Sequence, residues 1–153
     1  MGLFTSINTA ASGMSVQRLR NDVIANNIAN VSTVRNEDGT PFRRSEVITR
    51  PIEEGPQWHS PYLPKSLDTG IGKGVRLVEI QVDRATENNY VYDPNHPDAI
   101  KSGPRAGFRE MPNIDIVKEM VNMLDATRAY EANASVIEGS KSMFQTALDI
   151  GRR

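Results

Sequence analysis

The chain has 153 residues, enough for one small domain or a small domain with extended arms, and balances 18 Lys and Arg against 19 Asp and Glu. A net charge of -1 excludes the strongly basic balance of a nucleic-acid binder, and the absence of cysteine excludes disulfides, thiolate metal sites and cysteine nucleophiles. Leu, Ile, Val and Phe make up about 23% of the chain, little above the roughly 20% below which chains tend to stay disordered, so a self-sufficient core is marginal. No stretch approaches the roughly 20 apolar residues of a membrane helix, which argues against direct membrane insertion. The first residues, Met-Gly-Leu-Phe-Thr-Ser, lack the basic and apolar regions of a cleaved signal peptide, so export would need another route.

Residues 1–34 read as an N-terminal coiled-coil helix. Leu3, Ile7, Ala10, Met14, Gln17, Asn21, Ile24, Ile28 and Val31 alternate spacings of four and three, the 3.5-residue period of a coiled-coil seam. Gln17 and Asn21 interrupt the seam, where polar residues fix register at a cost in stability. Gly13 weakens the helix by about 1 kcal/mol relative to Ala. Asn21, Asn26, Asn27 and Asn30 crowd its second half, although Asn is a mediocre helix former. Two accounts fit. The asparagines fray the helix end before Ser32, which covers Asn30 but not Asn21 or Asn26, or their amides bond across helix contacts and set register.

Residues 35–111 change character and read as a β-rich insert, holding every proline except Pro112. Asn36-Glu37-Asp38-Gly39 predicts a turn, Phe42 to Thr49 a strand, and the Pro-rich segment 51–70 an extended loop. Val75 to Val82 is the best strand, and Tyr90-Val91-Tyr92 a shorter one. Asp68-Thr69-Gly70 is the tripeptide of aspartic proteases, but one copy supplies one carboxylate where the chemistry needs two, so a homodimeric hydrolase is the remote alternative. Gly70-Ile-Gly-Lys-Gly74 matches neither a dinucleotide fingerprint nor a P-loop and reads as a flexible lead-in to the strand. His59 and His96 are far apart beside prolines, and a metal site would need further ligands. Trp58 and Tyr62 either dock a partner or cover local backbone. Neither a catalytic, a cofactor nor a metal site is expected.

Residues 112–153 predict a C-terminal coiled-coil helix with Asp115 as N-cap and Glu119 in the first turn. Ile116, Met120, Met123, Thr127, Tyr130, Ala134, Ile137, Lys141, Phe144, Leu148 and Gly151 repeat the seam spacing. Two long helices with one narrow seam each are most simply paired. The expected fold is mainly α with a small β-rich insert, its terminal helices forming an antiparallel coiled-coil hairpin. Apolar residues off the seam, such as Phe4, Val23, Met143 and Ile150, would then be buried against neighbouring subunits.

Ala25-Asn26-Asn27-Ile28-Ala29-Asn30-Val31-Ser32-Thr33 resembles the N-terminal signature of the bacterial flagellar axial rod and hook family. Residues 37–44 (Glu-Asp-Gly-Thr-Pro-Phe-Arg-Arg), 92–99 (Tyr-Asp-Pro-Asn-His-Pro-Asp-Ala), 111–117 (Met-Pro-Asn-Ile-Asp-Ile-Val) and 128–133 (Arg-Ala-Tyr-Glu-Ala-Asn) narrow the resemblance to the proximal rod, with other axial subunits as the alternative. The Pro-rich stretch from Pro51 to Thr69 looks longer than in the shorter members. The resemblance implies a structural, non-enzymatic subunit of the basal-body rod that crosses the periplasm and transmits torque from motor to hook. Implied partners are other rod proteins, copies of the chain itself, the adaptor to the membrane ring and the flagellar type III export apparatus, which takes its cargo without a cleaved signal. The subunit-interaction residues would be Leu3, Ile7, Met14, Asn21, Ile24, Asn26, Asn27, Ile28, Asn30 and Val31 on the first helix. On the second they would be Ile116, Met120, Met123, Tyr130, Asn133, Ile137, Phe144 and Leu148.

Overall fold

A computed structural model describes residues 3–36, 39–52 and 73–152, with the side chain of Leu3 outside that set. The element order is α1 (Leu3–Ala29), β1 (Ser45–Pro51), β2 (Val75–Val82), β3 (Asn89–Tyr92), β4 (Phe108–Met111) and α2 (Ile116–Gly151). The expected hairpin is present. Ring contact joins Phe4 to Phe144, a hydroxyl pair joins Ser6 to Ser140, and hydrogen bonds join Asn21 to Thr127 and Asn27 to Glu119. Partner numbers fall on α2 as they rise on α1, so the helices run antiparallel.

Part of the seam sits one residue before its expected positions. On α2, Met120 is 57% exposed and Thr127 and Lys141 are exposed, while their predecessors Glu119, Ala126 and Ser140 are buried. On α1, Asn27 is buried where Ile28 was expected, an exposed Ser6 reaches Ser140 beside the half-buried Ile7, and Asn133 lies over Gly13 so that an added Cβ there would meet its amide nitrogen at 2.9 Å. The buried residues of α2, Glu119, Ala126 and Ser140, are spaced by multiples of seven. The physical reason is size: helices approach closely where the facing groups are small or hydrogen-bonded, whereas the large apolar residues that mark periodicity take the flanks. Ala10 and Ile24 hold their expected buried places.

Asp115 caps α2 as expected, its carboxylate accepting from the backbone N–H groups of Val117 and Lys118. The insert forms two separate two-stranded antiparallel sheets, β1 with β2 and β3 with β4. β2 has its expected bounds and pairs Ile80 with Val47, with a register shift at Ile48/Thr49. β1 starts three residues later than expected. Phe42 N–H donates to Thr33 O and Pro41 is buried, so the chain first fastens back to the end of the helix. β4 was not legible: its one aromatic packs edge-on against Tyr92 of β3, and that pairing makes the strand. Of the expected turn at Asn36–Gly39, Gly39 N–H donates to Asn36 O with Gly39 at φ 75°, and Glu37 and Asp38 lie outside the described residues. Asp83 ends β2 by accepting from the Thr86 hydroxyl and from the backbone of Thr86 and Ala85, bonds that hold its carboxyl below the usual range.

Gly74 overturns the flexible lead-in at its last residue. It is buried at φ 102° against α1, and the adjoining Val75 N–H donates to Ser12 Oγ at 3.0 Å. The Pro-rich loop from 53 onward, Trp58, His59, Tyr62, Asp68-Thr69-Gly70, Ile71 and Gly72 lie outside the described residues. Among the described residues the buried aliphatic side chains are few: Ala10, Val16, Ile24, Val47, Ile114 and Ala126. They lie along the hairpin and where β1 crosses it.

Candidate subunit interface

Two features stand out: a buried polar node inside the hairpin and an uncovered apolar face outside it. The node is built from three elements. Asn27, 0% exposed on the last turns of α1, donates from Nδ2 to Ser45 O at 2.9 Å and to Glu119 Oε2 at 3.1 Å. Its Oδ1 accepts from Ser45 N–H at 3.0 Å. The amide therefore satisfies both backbone groups of the first β1 residue, doing for that edge what a neighbouring strand would do.

Glu119, 1% exposed, has both oxygens engaged, Oε2 by Asn27 and Oε1 by Arg44 Nε at 2.8 Å. Arg44 also reaches Glu46 at 3.3 Å. Burial draws the Arg44 pKa down, but the hydrogen bond and charge of Glu119, with Glu46, hold it above the ordinary value. A buried carboxylate is tolerable only when so paired. The arrangement joins helix to helix and both to the sheet. It supplies no open acid, base or nucleophile.

The asparagines thus divide between the two readings. Asn27 bonds across elements. Asn30 donates to Asn26 O and Oδ1 and accepts from the Thr33 hydroxyl, so Asn30 and also Asn26 finish the helix end, where helix-end behaviour had been expected of Asn30 only. Asn21 donates to Thr127 Oγ1 at 3.5 Å, and its buried Oδ1 has no hydrogen-bond partner among the described residues. Glu119, Arg44 and Ser45 were missed as partners. Glu119 had been read as a helix-dipole residue, and Arg44 and Ser45 lie far away in sequence. The one available signal was a carboxylate between Val117 and Met120, beside the expected apolar stripe.

Of the other expected interface residues, Ile24 is buried, and Ile7, Met14, Ile28, Val31, Met123, Asn133 and Ile137 are half-buried. Ile116, Met120, Tyr130, Phe144 and Leu148 stay exposed. Beside them on α2, Val117 at 69%, Val121, Leu124, Val136, Met143 and Ile150 at 72% extend the uncovered apolar surface over the helix length. Past Phe144, which pairs with Phe4, α2 continues for seven residues to Gly151. No group of His, Asp or Glu among the described residues could hold a metal ion, and none of the described helices is long and apolar enough to cross a membrane.

Residues 7–35 match the family model described as flagella basal body rod protein, and residues 105–150 match that of the flagellar basal body rod FlgEFG protein C-terminal. The chain is 54% identical over 150 residues to the flagellar basal-body rod protein FlgC of Borreliella burgdorferi, covering 98% of both chains. It is 36% identical over 157 residues to the same-named protein of Bacillus subtilis and 32% identical over 152 residues to that of Escherichia coli, covering 99% of this chain and 100% of each relative.

Proposed function

The chain belongs to the flagellar basal-body rod proteins, and from that premise we propose that it bears torque in the proximal rod, carried by its two terminal arms. It is a structural subunit of the basal body, not an enzyme, and it associates with other rod components. The finer reading divides the chain into arms 1–34 and 112–153, which hold the subunit contacts, and an insert at 35–111. The arms meet neighbouring rod proteins and further copies of the chain, with the adaptor to the membrane ring at one end. The subunit is delivered across the inner membrane by the flagellar export apparatus without a cleaved signal, and the rod it joins crosses the periplasm.

One observation supports this reading above the others: α2 leaves Val117, Met120, Val121, Leu124, Val136, Met143, Leu148 and Ile150 exposed along one helix of a thin hairpin. Apolar surface of that extent marks a contact site. The polar node keeps the hairpin together from within, so the outer face is free to take load between subunits. Replacement of Val117 or Leu148 by Asp tests it. Each variant should be exported and fold, yet be absent from isolated basal bodies, with motility lost. Incorporation of both at the wild-type level would overturn the assignment of this face.

A further inference from the structure

The node has a consequence for the chain's own fold, independent of how subunits assemble. Steps of seven link Ser6, Gly13, Arg20 and Asn27 on α1, and Glu119, Ala126, Asn133 and Ser140 on α2. Ser6 meets Ser140, Gly13 meets Asn133 and Asn27 meets Glu119, while Arg20 and Ala126 line one cleft between the helices. Four of these eight positions carry Ser, Gly or Ala, and small groups repeating at seven residues have little shape to distinguish one register from the next.

One neighbouring register even has an electrostatic attraction. Sliding α2 by one heptad, about 10 Å at 1.5 Å per residue, sets Arg20 opposite Glu119, Gly13 opposite Ala126 and Ser6 opposite Asn133. Arg20 is free to take that part, since its bond in the native register is a long 3.4 Å contact to Gln17. The slide leaves Asn27 opposite Pro112 and takes from its amide the Glu119 carboxylate that it donates to in the native register.

We infer that the Asn27 amide is the register pin of the hairpin, selecting the Asn27–Glu119 pairing over the slipped Arg20–Glu119 pairing. Asn27 is a positioning residue: it engages Glu119 and β1 together, so the register of the helices and the seat of the insert are fixed by one side chain. A polar group at a single seam position specifying register is a known device of helical pairs.

The chain has no cysteine, so introduced pairs report cleanly. Ser6→Cys with Ser140→Cys reads the native register, because the two hydroxyls stand 3.4 Å apart. Ser6→Cys with Asn133→Cys reads the slipped one. Disulfide yield is measured on the purified full chain with Asn27 intact, with Asn27→Ala and with Asn27→Gln, which keeps the amide but misplaces it by one methylene. Asn30→Ala is the control, since Asn30 bonds only within the helix end. The ratio of slipped to native yield should rise about tenfold in both Asn27 variants, the scale expected for a lost buried hydrogen-bonding partner, and stay unchanged in the control. An unchanged ratio in both Asn27 variants, or an equal rise in Asn30→Ala, overturns the inference. Should Asn27→Ala fail to fold, Asn27→Gln decides alone.

Discussion

The two ends of the hairpin hold together by different physics. Where α1 ends and α2 begins, a buried carboxylate and a buried amide are paired with each other and with a half-buried guanidinium, and β1 is pinned to them. At the opposite end a tilted Phe4–Phe144 contact and a 3.4 Å hydroxyl pair are among the contacts, and the α2 residues beyond stay exposed. The first end is specified from within the chain. The second is left unfinished by it, which suits a subunit whose remaining apolar surface is met by neighbours.

The contrast is sharpest at Glu119. Glu119→Ala leaves the Asn27 amide and the Arg44 guanidinium short of an acceptor and should lower stability by about 3 kcal/mol. Urea unfolding of the purified chain measures it. A loss below about 0.5 kcal/mol, the ordinary surface range, would mean that the node is incidental. Gly74→Ala tests the seat of the insert. A side chain there must hold φ 102° and press on Ser12, and the expected loss is about 2 kcal/mol by the same assay.

Two helical glycines then separate seam from surface. Gly139→Ala meets nothing and should gain about 1 kcal/mol of helix propensity. Gly13→Ala should gain much less, because Asn133 must withdraw and give up its bond to Ala129 O. Equal gains would show that the helices do not approach closely at Gly13. The smallest effect belongs to the open face: Val136→Ser should shift the unfolding midpoint of the isolated chain by no more than about 0.5 kcal/mol, as for an exposed site.

How much of this was legible follows from which interactions are local. The hairpin, the Asp115 cap and the bounds of β2 were readable, because a 3.5-residue period, a capping carboxylate and a β-branched run act over neighbouring residues. The seam was readable only in part. Counting large apolar residues picked out Met120 and Ile28, while the close approach belongs to Glu119 and Asn27, one position earlier. Periodicity finds the apolar stripe but not the small or paired groups at its centre. β4 and the Arg44–Glu119 bond escaped for a related reason, since each depends on a partner distant in sequence. The asparagine cluster announced itself, but only the partners could say that Asn27 reaches across and Asn30 does not.

The central claim is that the node end is built by this chain alone and the far end is left for assembly. Hydrogen exchange on the full chain, held monomeric and checked by sedimentation, tests it most directly. The slowest amides are expected at 24–28 and 119–126, around Asn27 and Glu119, with fast exchange over 141–151. Protection of 141–151 equal to that of 119–126 in the monomer would contradict it.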